Sequence, residues 1–343
     1  MRFAIIGAGV IGAAHARLIA SLGDEASLVA VVDTDVARAE ALAAAYGARP
    51  FASAAEAYAA EDIDAVAICL PSAMHTDAAV EALRAGKDVI VEKPIAVTLP
   101  AADAIIAAEK ESGRTVAVIS QRRFQPPAMA IKAAIDDGRL GRVTSGIAES
   151  AFFRPQSYYD SGDWRGTLAI DGGGALMNQG IHALDLLIWM LGVPVQVSAH
   201  TGRVAHERIE VEDVAAATIV FESGAIGVIL ASTAASPGLP VRLSVHGDRG
   251  TAVMENEELV FFESSDGAAP DEAPVTSDPA LLEGWGPLDV AHRAQYVDFL
   301  EAVRTGRGPK VSTQAGRLSL AVVLAVYESA RTGCAVDLEE GGR

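Results

Sequence analysis

Up to Gln121, short runs of consecutive apolar positions alternate with Ala-rich amphipathic stretches. RFAII, SLVAVVD, DAVAICL, KDVIVE and RTVAVIS are apolar without alternation, the pattern of strands covered on both faces in a parallel sheet. Between them, VIGAAHARLIASL, DVARAEALAAAY, MHTDAAVEALRAG and PAADAIIAAEKESG carry helical periodicity. Strand and helix in strict alternation predict a doubly wound α/β domain.

After Gln121 the pattern changes. PPAMAIKAAIDDG predicts one more helix, opened by Pro126 and Pro127 and stopped by Gly138. A strand (VTSGIAESAFF) and a loop with Tyr, Trp and Arg follow, then a segment from Asp171 to Gly192 that is apolar almost all round. VQVSAH, VAAATIVFE, AIGVILAST, VRLSVHG, TAVMEN and LVFF, separated by Gly-containing turns, predict a mainly antiparallel sheet. SSDGAAPDEAPVTSDP is a polar loop, and two helices follow, about Asp289–Thr305 and Thr313–Arg331. The expected division is residues 1–121 and 122–343, the last helices being able to pack back on the first domain.

A length of 343 residues suits two domains. The net charge of −18 argues against nucleic acid or an anionic membrane as partner. No apolar run is long enough to span a bilayer, and the glycine-interrupted N-terminus does not read as a signal peptide. Cys69 and Cys334 are too few for a disulfide framework, Cys69 reads as a buried small side chain, and a reducing cytoplasm is expected. No metal site is expected.

Gly7-Ala8-Gly9-Val10-Ile11-Gly12 is a G-x-G-x-x-G directly after the first strand and opening the first helix. Gly7 permits the turn, Gly9 lets a pyrophosphate approach the backbone, and Gly12 allows helix and strand to pack closely. Asp33 ends the second strand, where a carboxylate bonds a ribose diol and repels a 2′-phosphate. NAD is therefore expected rather than NADP. Pro71, Ser72 and His75 after DAVAICL, Glu92 and Lys93 after KDVIV, and Gln121 and Arg122 after RTVAVIS stand at strand ends. Those are the places where open α/β sheets bind ligands. Arg123 reads as surface charge, and His292, opening a C-terminal helix, either reaches the pocket or is a surface helix position, the second being favoured.

Asn178, His182 and Asp185 follow one another at spacings of four and three, which in an α-helix puts them on one stripe. Asp171 reads as a cap of that helix. The glycines at 172–174 suggest close backbone approach. Arg154, Tyr158, Tyr159, Trp164 and Arg165 crowd one short loop. Aromatic faces there suit sugar rings, and guanidiniums suit hydroxyls or carboxylates.

G-A-G-V-I-G at the start, E-K-P at 92–94 and the G-G-G-x-x-x-N-x-G-x-H-x-x-D segment, taken in order, resemble the glucose–fructose oxidoreductase/inositol dehydrogenase family. The resemblance runs over nearly the whole chain. It implies an α/β Rossmann domain plus an α+β C-terminal domain with an open, mainly antiparallel sheet, whose free face makes a homodimer or homotetramer. It further implies nicotinamide-dependent oxidation of a hydroxyl on a sugar or polyol, or the reverse reduction. Carried over by position, Lys93 touches the reacting hydroxyl, with a Lys-Pro bond that can be cis, and His182 is the acid/base. Asn178 stands where many members have Asp; an amide takes no proton, so it orients substrate or histidine. Asp185 would hold His182 in its orientation. Arg154, Tyr159, Trp164, Arg165, Asn178 and His182 are the expected substrate contacts. Two rival readings use the same motifs: a glycosidase that uses NAD transiently, and a non-catalytic NAD-binding regulator.

Overall fold

Six short strands form the first sheet: β1 (Arg2–Ile6), β2 (Ser27–Val32), β3 (Arg49–Phe51), β4 (Ala65–Ile68), β5 (Asp88–Val91) and β6 (Val116–Val118). They come from a computed structural model that describes residues 1–267 and 284–338. All pairings are parallel, in the order β3-β2-β1-β4-β5-β6. The order reverses between β1 and β4, which is the switch point where such sheets bind dinucleotides. The predicted parallel sheet is borne out, with one addition. β3 and the helix behind it escaped the sequence reading because Arg49-Pro50-Phe51 is three residues long and mostly exposed.

Local chemistry sets the helix boundaries. Helix α1 (Val10–Ala20) follows the glycine loop. Asp35 caps α2 (Val36–Tyr46), Ser53 caps α3 (Ala54–Ala60), and α4 spans His75–Arg84. Thr98 caps α5 (Leu99–Ser112), which stops at Gly113 in the left-handed region. These elements, from Met1 to Gln121, form one compact unit with the later segment that ends at Arg317. In that unit Phe3 of β1 lies 5.8 Å from the ring of Tyr296 and 6.2 Å from that of Phe299.

The second unit begins at Arg122 and resumes at Leu318. It contains α6 (Pro126–Asp136), β7 (Val143–Ala151), the short α7 (Gln156–Tyr159) and α8 (Ile181–Leu191). Strands β8 (Pro194–Gly202), β9 (Val214–Phe221), β10 (Ile226–Ser232), β11 (Arg242–Gly247), β12 (Thr251–Glu255) and β13 (Glu258–Glu263) follow. Helices α9 (Pro287–Thr305) and α10 (Thr313–Thr332) and strand β14 (Val336–Asp337) complete the described chain. The second sheet runs β13-β12-β11-β7-β10-β9-β8-β14, antiparallel except where β7 meets β10. Most of the predicted polar loop, from position 268 on, lies outside the described residues.

One face of this sheet carries α8. Gly146 and Gly227 lie directly beneath Leu187, and a Cβ at either position would meet Leu187 at 2.9 or 3.1 Å. The alternation on β10 sends Ile226, Val228 and Leu230 to the other face, where they are exposed together with Ile147 of β7. No helix among the described residues is long and apolar enough to cross a membrane.

Candidate active site

In the first unit, β1 runs into Gly7, whose φ of +102° favours glycine. A Cβ on Gly7 would sit 2.6 Å from the Cys69 carbonyl oxygen, and one on Gly12 only 2.0 Å from that of Gly7. Gly9 differs: a Cβ there would meet nothing within 4 Å. Gly9 caps α1 without a side-chain bond, and Val10 is 83% exposed. The first-turn N–H groups of α1 thus border open space, where the helix end favours an anion. At the end of β2, Asp33 is held by Ala8 N–H to Oδ2 and Asp35 N–H to Oδ1, both at 2.8 Å. An open cradle over Gly9 with a fixed carboxylate beside it fits a dinucleotide.

Ser72 is buried in a 3₁₀ turn (Ser72–Met74) that follows Pro71. Gln121 has a buried Oε1 without a protein partner, a group a ligand can satisfy. His75, expected among the cofactor contacts, is only 1% exposed. Its ring nitrogens lie 2.8 Å from the carbonyls of Pro94 and Leu70, so the ring clips two strand-end loops together and has no nitrogen left for a ligand.

Behind Lys93 lies a buried polar cluster that the sequence reading missed. The Lys93–Pro94 peptide is cis. The Glu92 carboxylate accepts the Lys93 N–H at 3.0 Å and the His15 Nε2–H at 3.1 Å. It is therefore engaged with the protein's own groups. His15 donates its other N–H to the Tyr296 hydroxyl at 2.5 Å, and the His292 ring stands edge-on to His15 at 4.8 Å. Burial disfavours a charged His15, but the Cys69 sulfur and Glu92 outweigh it, and the imidazole is pushed up to about 10. Burial would raise Glu92; the hydrogen bond and charge of His15, then Lys93, hold it well below the usual carboxylate range. His292, expected at the surface, is buried with Nε2 unpartnered. Burial first, and the charge of His15 next, push it down to about 3. His15, Glu92 and His292 bring ligand-type atoms within 4.8 Å of one another, but the His15–Glu92 ion pair already accounts for the arrangement.

In the second unit, the segment carrying Asn178 and His182 is not one straight α-helix. Ala175–Gly180 form a π-helical turn, and α8 begins at Ile181. The extra residue per turn breaks the predicted stripe. Asn178 donates Nδ2–H to the Gly173 carbonyl at 3.0 Å. His182 lies half-buried on the first turn of α8. Asp185 is buried, gripped by Arg123 through two bonds of 2.7 Å and by the Ser319 hydroxyl at 3.0 Å. Arg123 is thus no surface charge.

Two of the three glycines, Gly173 and Gly174, serve the protein's own packing. A Cβ on Gly173 would lie 2.2 Å from the Tyr327 hydroxyl, and one on Gly174 1.8 Å from the Glu212 carbonyl oxygen. Glu212 in turn accepts the N–H groups of Gly174 and Leu176. Asp171 accepts the Gly166 N–H at 2.6 Å and so pins the preceding loop rather than capping a helix.

The aromatic loop separates into two roles. Tyr159, expected to touch substrate, is buried against Ile209 and Val211, its hydroxyl 2.8 Å from that of Thr233. Tyr158, Trp164, Arg154 and Arg165 are half-buried and stacked on one another. Arg122 is buried with Nη1 unpartnered.

A glycine-lined cradle with an acidic strand end, on a doubly wound sheet of this order, defines an NAD-binding oxidoreductase domain. Residues 1–120 match a family model described as the oxidoreductase family with an NAD-binding Rossmann fold, and residues 128–253 match the GFO/IDH/MocA C-terminal domain. The chain belongs to this family, as its motifs implied. Inositol 2-dehydrogenase of Rhizobium meliloti is 34% identical over 274 residues, covering 78% of this chain and 79% of that protein. The scyllo-inositol 2-dehydrogenase (NAD(+)) of Bacillus subtilis is 29% identical over 347 residues, covering 99% and 96%. Among solved structures, the WlbA dehydrogenase from Bordetella pertussis, in complex with NADH and UDP-GlcNAcA, aligns with a TM-score of 0.86 at 33% identity. That alignment covers 98% of both chains.

Proposed function

We propose that this oxidoreductase interconverts a secondary hydroxyl and a ketone on a sugar, cyclitol or sugar derivative, with Lys93 and His182 at the reacting hydroxyl. The observation that carries the reading is the setting of Lys93. It leaves the carboxyl end of β5, and the buried His15–Glu92 pair behind it fixes its backbone. The relatives, named as dehydrogenases of inositols, support the chemistry.

Bound NAD supplies the hydride acceptor. His182 takes the hydroxyl proton on a ring nitrogen, and the Lys93 ammonium stabilises the oxygen as negative charge develops. General-base help of this kind is worth about 10²–10⁴ in rate. Asn178, an amide, takes no proton and serves to orient. Arg122 and Gln121 offer their unpartnered buried atoms to cofactor or substrate.

The apolar stripe of Ile147, Ile226, Val228 and Leu230 supports assembly through a second copy, as a homodimer or homotetramer. Two unpaired cysteines support a cytoplasmic location.

The test is a panel of cyclitols, aldoses, anhydrosugars and nucleotide sugars, scored by absorbance of reduced nicotinamide. Net NADH from at least one free sugar or cyclitol is expected. Release of an aglycone without net NADH, or stabilisation by NAD with no turnover on any member, overturns the reading.

A further inference from the structure

The chain carries 45 acidic residues against 27 Lys and Arg, so a basic side chain ordinarily finds a carboxylate nearby. Arg208, for example, closes an ion pair with Asp160 next to this loop. Arg154 and Arg165 close none among the described residues. Both guanidiniums instead lie against the ring of Tyr158, at 5.2 and 4.6 Å from its centre, and Arg165 also covers Trp164 at 4.3 Å. Two cations beside one ring repel each other, and the aromatic faces offset this only in part. Arg154 Nε is buried without any hydrogen-bond partner.

The surrounding structure holds this pair in place. The Arg154 N–H donates to the Thr233 carbonyl at 2.8 Å, and its own carbonyl lies 2.7 Å from His206 Nε2. His206 is fixed in turn by Asp213 at 2.9 Å. Arg165 donates to the Tyr158 hydroxyl at 3.0 Å. Arg154 donates to Gln179 at 3.2 Å, which ties the pair to the turn that carries Asn178.

We propose that Arg154 and Arg165 form a subsite for an anionic group on the substrate, so that this enzyme prefers an acidic sugar derivative over a neutral polyol. The planar guanidinium fork matches a carboxylate or a phosphate, and the two sources share that chemistry. The proposal deepens the dehydrogenase reading and rests on it for the word substrate; the anion subsite itself does not require turnover.

The experiment measures binding of D-glucuronate, UDP and myo-inositol to the full chain with NAD present, by calorimetry at two ionic strengths. It compares wild type with Arg165→Gln and with Arg154→Gln/Arg165→Gln. Glucuronate or UDP is expected to bind at least about tenfold more tightly than myo-inositol, and more weakly at the higher salt. Glucuronate binding identifies a carboxylate as the group received, and UDP binding identifies a phosphate. The double variant should lose at least about tenfold and the single variant about fivefold, with NAD affinity unchanged. Should the double variant fail to fold, the loss in Arg165→Gln alone decides. Equal binding of all three probes, or anion binding that survives both substitutions, overturns the proposal. Its failure leaves NADH formation from neutral sugars intact, whereas anion binding with no turnover on any sugar sinks the dehydrogenase reading alone.

Discussion

Arg123 grips both carboxylate oxygens of Asp185, Nε to Oδ2 and Nη2 to Oδ1, each at 2.7 Å, and Asp185 stands three residues beyond His182 on the same helix. Taking one partner away strands a buried charge. Arg123→Met should therefore cost about 3–5 kcal/mol in urea unfolding. The pair Arg123→Met/Asp185→Leu should recover most of that, because an apolar pair removes both charges from the interior. A single variant as stable as wild type would mean the pair is not buried as described.

Gly9 and Gly12 belong to one motif but face different surroundings. Gly12→Ala places a methyl 2.0 Å from the Gly7 carbonyl oxygen and should destabilise the domain by about 1–3 kcal/mol. Gly9→Ala meets no atom within 4 Å, so its melting temperature without ligand should stay near wild type. Its NAD affinity should nevertheless fall by about tenfold or more, a loss of about 1.4 kcal/mol. Calorimetric titration with NAD beside a thermal melt separates the two effects.

Asp33→Asn keeps the side-chain shape and removes the negative charge. The KM for NAD should rise about tenfold or more, since a charged hydrogen bond contributes about 1.5–3 kcal/mol. The KM for NADP should fall, because the repulsion of a 2′-phosphate is gone. Steady-state kinetics with both cofactors provide the check.

The parts of this molecule that were legible share a property: their signal is local. Apart from a polar first residue in β1, β2 and β5, the strands of the first sheet other than β3 are apolar throughout, and Gly7 and Gly12 of the first loop answer packing demands next to β1. β3 was illegible because its three residues are mostly exposed and form no apolar run, whereas β6, equally short and at the opposite edge, is buried throughout. The π-helical turn was hidden for a different reason. The spacing of Asn178, His182 and Asp185 was converted to a stripe with 3.6 residues per turn, and one wider turn defeats that conversion. Arg123 and His292 were misread because their partners come from elsewhere in the chain. Arg123 meets a carboxylate 62 residues on, and the cluster at His292 joins His15 to Tyr296 across 281 residues.

The same cluster sets a pH window. His15 is raised to about 10, so its contribution is complete below its usual 6.5 and is lost as pH climbs through 10. Glu92 is depressed, so its share is present above its usual 4.5 and is lost as pH falls further. His292 is depressed to about 3, so below 6.5 the unfolded chain takes up a proton that the folded one does not, and stability drops with acidification. The melting temperature should peak near pH 6.5, because the His15 share is lost progressively between 6.5 and 10. It should fall on both sides, and His292→Phe should flatten the limb between pH 6.5 and 4. A melting temperature that rises as pH drops from 6.5 contradicts the assignment.

The most direct measurement is turnover of His182→Ala and Lys93→Met on the substrate that the panel identifies, taken together with their NAD dissociation constants. Turnover is expected to fall at least about tenfold in each, and by up to about 10⁴-fold for His182→Ala, while NAD affinity stays within about twofold of wild type. Wild-type turnover in either variant would contradict the placement of both residues at the reacting hydroxyl.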